Sequence, residues 1–169
     1  MSVRQILAAL MITALSAPAM GEDTLAPPSE TRKLFEFGAD GVQIYICKMK
    51  DEAHLAQGFA YAFDGPEAVL FDADGKLAGT HAKGPAWTLS DGSSVTGEVA
   101  AKQPSPKKGA IPWLLLKVKS HEGAGKLDAV DFRRVDTDGG VEPPDGCDAA
   151  HLGATVRVPY SANYQFFGK

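Results

Sequence analysis

The chain has 169 residues, a formal net charge of −4, two cysteines, 18 glycines and 11 prolines. A mildly acidic chain with no basic stripe is a poor partner for nucleic acid or for an anionic membrane surface. Its length fits one ordinary domain with a real core, and beyond residue 21 no run is long and apolar enough to form a transmembrane helix.

In chain order, the first segment reads as a targeting element. A basic head, Met1 to Arg4, precedes an apolar run from Ile6 to Leu15 that is broken only by Thr13. The small residues of Ser16 to Gly21 follow, which is the pattern of a secretory signal peptide. Ala17 with Ala19, or Ala19 with Gly21, suits the −3 and −1 positions, so cleavage is expected near Gly21. No cysteine lies near that point to carry a lipid anchor. Residues 1–21 are thus expected to direct export to the periplasm or outside the cell. Their removal takes away Arg4 and no acid, changing the formal charge from −4 to −5. Residues 22–32, with Pro27-Pro28, read as a flexible leader, and residues 33–169 as a single β-rich domain.

Beyond the leader, turn signals recur every 8–12 residues or so, the spacing of many short strands. Val42, Ile44 and Ile46 alternate with Gln43, Tyr45 and Cys47; Phe59, Tyr61 and Phe63 alternate with Ala60 and Ala62. Val69 to Phe71 leads into Asp74-Gly75 and returns over Lys76 to Ala82. Trp87 to Leu89 leads into Asp91-Gly92 and returns through Val95, Gly97 and Val99; both Asp-Gly pairs are hairpin turn signals. Trp113 to Lys119 places Leu114, Leu116 and Val118 on one side, and Val130, Phe132 and Arg134 alternate with Asp131, Arg133 and Val135. Thr155 to Val158 is expected to end at Pro159, before Tyr160, Ala162, Tyr164 and Phe166 resume the alternation. Gln103–Ala110 and Asp136–Gly146 read as loops, and Asp51 to Gln57 and Asp148 to His151 as short helical turns. The expected fold is all-β and mainly antiparallel, a sandwich or partly closed barrel of short strands.

In an oxidising compartment Cys47 and Cys147 most simply form one disulfide, closing a loop of 99 intervening residues. A free thiol or a metal thiolate pair is the alternative, though no CxxC-type cluster is present.

Several phrases then stand out together: Tyr45-Ile46-Cys47, Glu67 to Asp72, Gly79-Thr80-His81 running through Gly84-Pro85 to Trp87, and Asp91-Gly92-Ser93. Ile111 to Leu115, Gly146-Cys147-Asp148 and Val158-Pro159-Tyr160 complete the set. In this order they resemble the DUF3455 family, a domain of unknown function in exported bacterial and fungal proteins. The resemblance runs from about Phe35 to Phe167. It implies one exported domain holding both cysteines, and it carries no catalytic role onto any residue.

Candidate chemistry is sparse. His54, His81, His121 and His151 are the four histidines. His81, His121 and His151 flank Gly-containing segments and are the candidate ligands if a metal is bound, but neither HxH nor HExxH is present and no metal or cofactor is expected. Asp72-Ala73-Asp74-Gly75 and Asp136-Thr137-Asp138-Gly139 lack the remaining oxygens of a calcium loop and read as turns. Gly92-Ser93-Ser94 lacks the strand-to-helix elbow of a serine nucleophile. The segment His81 to Trp87 places an imidazole, the Lys83 cation and an indole on one Gly-Pro loop, which suits contact with a sugar ring or small anion as well as core packing. His121 and Glu122 on the loop Ser120–Gly125 are its expected companions if the two loops meet, with Trp113 and Tyr160 as further aromatic surface. These features favour a non-enzymatic module binding a small ligand, glycan or protein. The alternatives are a metal-dependent or hydrolytic enzyme using His81, His121, Glu122 and His151, and an envelope structural or stress-protection protein.

Overall fold

A computed structural model describes residues 24–50, 58–127 and 131–169. The expected signal peptide, the helical turn at 51–57 with His54, and Val130 lie outside the described residues.

Eight antiparallel strands follow one another: β1 (Arg32–Met49), β2 (Phe59–Phe71), β3 (Leu77–Ala82), β4 (Ala86–Leu89), β5 (Ser94–Gln103), β6 (Trp113–Glu122), β7 (Asp131–Gly139) and β8 (Thr155–Gly168). Each pairs with its sequence neighbour, and β1 also pairs with β8, so the meander closes into a ring. Closure leaves no sheet edge along the paired length. Of the two forms expected from the sequence, the chain takes the closed one. The ring is uneven: β1, β2 and β8 run 18, 13 and 14 residues, whereas β4 has four. The three long strands exceed what the turn spacing suggests, because turn signals mark where a chain reverses and not where its pairing starts.

The Asp-Gly signals fall where reversals occur. Asp72 Oδ1 accepts from the backbone N–H groups of Asp74 and Lys76, closing the β2–β3 turn. Asp91 Oδ1 accepts from the N–H and the hydroxyl of Ser93 in the β4–β5 turn, while Oδ2 accepts from the Lys126 N–H. The carboxylates thus serve turn geometry. Pro159 does not end a strand: β8 runs through it, with Pro159 opposite Val42 on β1. On its other side β8 pairs with β7 only as far as Gly139 opposite Tyr160. Beyond that point β8 has an open flank, where a residue with no N–H is tolerated. The turn expected near His151 is a single 3-10 turn, Ala149–His151, capped by the Asp148 side chain.

The interior is filled by aromatic rings. Trp87 packs edge-on against Phe132 (centroids 4.5 Å) and Tyr164 (5.4 Å), and Phe132 stacks on Phe166 at 4.9 Å. Leu70, Leu89, Val95, Leu116 and Phe37 close the core around them. Two glycines make this possible. A Cβ on Gly41 would sit 2.2 Å from the Glu67 carbonyl oxygen, and one on Gly97 would sit 2.6 Å from the Phe132 ring. Leu25, within the segment read as a leader, is buried, 2% exposed.

Cys47, at the end of β1, is bonded to Cys147, just before β8, with Cα atoms 5.3 Å apart. The free-thiol and metal-thiolate alternatives are thereby set aside.

Candidate functional site

In β1 the inward face carries Gln43, Tyr45 and Cys47, and the outer face carries the half-buried Val42, Ile44 and Ile46. One polar side chain, Gln43, therefore enters the barrel. Across from it, β2 bulges: Gly65 lies opposite Ile44 and Phe63 opposite Tyr45, leaving Asp64 unopposed. The bulge brings Phe63 over Tyr45 (centroids 5.6 Å) and leaves it 58% exposed at the rim. Gly65 also lets the β3–β4 turn, Lys83-Gly84-Pro85, fold down on β2, because a Cβ there would come 2.8 Å from that of Lys83.

These features frame a cavity of about 120 Å³ at one end of the barrel. Phe63, Pro66, Pro85 and Val99 contribute apolar wall, and Gln43, His81, Trp87, Arg134 and Tyr164 also line the cavity. Direct pairing of β3 with β4 puts His81 opposite Trp87, and their rings stack at 4.0 Å with 10° between planes. His81 is 4% exposed, and burial lowers its pKa to about 4, so the ring is neutral at physiological pH. With Nδ1 donating to the Ala86 carbonyl oxygen at 2.9 Å, Nε2 is left as an acceptor.

Several polar atoms here lack partners. Gln43 Nε2, Trp87 Nε1 and the Tyr164 hydroxyl are buried with no hydrogen bond, as is the hydroxyl of neighbouring Tyr160. The two phenols, Gln43 and Arg134 are near enough to perturb one another, yet no pair reaches hydrogen-bonding geometry. Burial raises the pKa of both Tyr160 and Tyr164, so the hydroxyls stay protonated. Arg134 donates from Nε (3.2 Å) and Nη2 (2.7 Å) to the Pro112 carbonyl oxygen. No carboxylate among the described residues pairs with it, and its positive field reaches His81, Tyr45, Tyr160 and Tyr164. An unpartnered buried polar group costs on the order of 1–3 kcal/mol, so several around one cavity call for an explanation.

The other residues singled out from sequence lie elsewhere. Lys83 is on the surface, paired with Asp64 at 2.5 Å. His121 and Glu122 end β6 and are exposed; His121 Nδ1 bonds to the Leu127 carbonyl oxygen at 2.8 Å. The loop that follows is tied to the β4–β5 turn by Asp91, whereas Lys83 lies in the β3–β4 turn, so the two loops stand at opposite ends of β4 and do not meet. His151 is exposed and bonded to Asp148 at 2.7 Å. Among the described residues no group of three or more His, Cys, Asp or Glu side chains is arranged to hold a metal ion. Of the aromatic pair named beside them, Tyr160 is buried in the core, and Trp113 lines a separate groove with Leu25 and Gln103. His81 and Trp87 are the two expected residues that the cavity brings together. Gln43, Arg134 and Tyr164 join them; their signal was phase alone, Arg134 sharing the alternation of Phe132, and Tyr164 that of Phe166.

A family model described as "Protein of unknown function (DUF3455)" matches residues 27–168. The chain belongs to the DUF3455 family. The match takes in all eight strands, both cysteines and every residue of the cavity, so this DUF3455 domain and the closed ring are the same unit. No curated protein and no solved structure matches the chain.

Proposed function

We propose that this DUF3455 domain is an exported, non-enzymatic module that binds a small molecule in the mouth of its barrel. One observation carries the reading: Gln43, Trp87 and Tyr164 present buried, unpartnered polar atoms around a single apolar-walled cavity. A bound molecule would supply the missing hydrogen bonds, while Phe63, Pro66, Pro85 and Val99 would cover its apolar body. The scale suits a molecule somewhat smaller than a drug, since an apolar cavity of about 150 Å³ holds benzene. The signal-like leader at 1–21 and the Cys47–Cys147 disulfide support export.

The test is a ligand screen by NMR on the mature domain and on Val99→Trp. Val99 is 55% exposed at the rim, so added bulk there narrows the entry without entering the core. Ligands that bind the native protein should lose at least tenfold in affinity in V99W, with a melting temperature unchanged within about 2 °C. Equal affinity for both proteins would place binding elsewhere.

A further inference from the structure

The geometry points to a small monocarboxylate as the class of ligand this cavity takes, with Arg134 as its charge partner; this inference rests on the reading of the cavity as a binding site. The case is one of matching donors with acceptors. Trp87 Nε1–H can only donate, and it is buried without an acceptor. Gln43 Nε2 and the Tyr164 phenol, kept protonated by burial, have only poorly aligned neighbours in Tyr160 and Arg134 and can turn to a better acceptor. A neutral alcohol brings two lone pairs along with a donor of its own, and would leave part of this set unmatched. A carboxylate brings two oxygens with about four lone-pair positions and no donor.

Charge points the same way. Arg134 enters the barrel wall on β7 as part of the cavity lining, and its carbonyl partner, Pro112, leaves the positive charge uncompensated. The surface cations Lys33, Lys76, Lys83, Lys107, Lys119 and Arg157 each have a carboxylate within 4 Å, whereas Arg134 has none among the described residues. Glu142 exerts its charge on Tyr45 but does not line the cavity. His81 is neutral and adds no second charge, which favours a monoanion over a dianion. The small volume and the apolar rim limit the body to a short chain or a small ring.

The probes are butyrate and its uncharged counterparts butyramide and 1-butanol, followed through the Trp87 indole N–H resonance of the ¹⁵N-labelled mature protein. Trp113→Phe identifies the resonance. Butyrate should shift it saturably, at least tenfold more tightly than butyramide, and the advantage should shrink as sodium chloride rises. Arg134→Gln should abolish the tenfold preference of butyrate over butyramide; Arg134→Lys, which keeps the charge and serves where Arg134→Gln folds poorly, should retain part of it. If butyramide or butanol binds at Trp87 as tightly as butyrate, the carboxylate assignment falls and the cavity reading stands. If none of the three moves the Trp87 resonance, both fall.

Discussion

His81 shows how one side chain ties the stability of the interior to pH. Burial against Trp87 holds its pKa near 4, well below the ordinary 6.5, so the unfolded chain takes up the proton first as pH falls. The His81 contribution is therefore whole above about pH 6.5 and is lost as pH drops from there to 4, amounting to about 3 kcal/mol at the lower limit. His81→Phe keeps a ring on Trp87 and cannot titrate. Urea melts at pH 7.5 and 4.5 should show the native protein losing about 2.5 kcal/mol more than the variant between the two. Parallel losses would assign the pH dependence to groups other than His81; Asp91 and Asp148, whose pKa values are lowered by hydrogen bonds from Ser93 and His151, lose their contribution only at lower pH, below the ordinary carboxylate pKa. At this scale the sequence was half legible. The phrase from His81 to Trp87 was visible because its residue types are chemically conspicuous and adjacent. Gln43 and Arg134 were not, because each sits on an alternating strand where only the register decides which phase faces inward. On β1 the β-branched face, which composition alone would send inward, is the outer one.

Among the elements, β1 and β2 depend on a point of unusually close approach. A Cβ at Gly41 would meet the Glu67 carbonyl oxygen at 2.2 Å and the Ala68 Cα at 2.5 Å, both backbone atoms that cannot rotate aside. At Gly38, three residues earlier on the same strand, the first neighbour is the Asn163 side-chain oxygen at 3.8 Å. Gly41→Ala should cost about 3 kcal/mol or more through strand separation, and Gly38→Ala should stay within about 1 kcal/mol of the native protein. Chemical denaturation of the pair decides between a steric cause and a general loss of glycine flexibility; equal effects would remove the steric one. The turns were the legible elements, since Asp72 and Asp91 close them through local hydrogen bonds that need nothing from the rest of the fold. Strand lengths and the passage of β8 through Pro159 were not, because both depend on how far a neighbouring strand extends.

For the molecule as a whole, the disulfide acts on a long loop. Cys47 and Cys147 are 100 positions apart, a span for which the chain-entropy model gives about 4–5 kcal/mol. Thiol titration of the denatured, unreduced mature protein should find no free thiol. The double variant Cys47→Ala with Cys147→Ala should melt roughly 8–16 °C lower than the native protein. A smaller drop would mean that the reduced chain already keeps β1 and the approach to β8 together. The pairing of the cysteines was legible from their number, and the all-β class from the turn spacing. Ring closure was not, because it rests on β1 meeting β8 across more than a hundred residues, with no local mark in either strand.

That closure also sets an order of events in time. The ring is completed by the first and last strands of the meander, so a chain emerging from the ribosome has β1 through β7 available before β8 exists to pair with β1. Until Thr155–Gly168 arrives, β1 presents a bare flank and the aromatic core lacks Tyr164 and Phe166. The closed core is thus out of reach of any fragment that lacks Thr155–Gly168, however much of the meander precedes it.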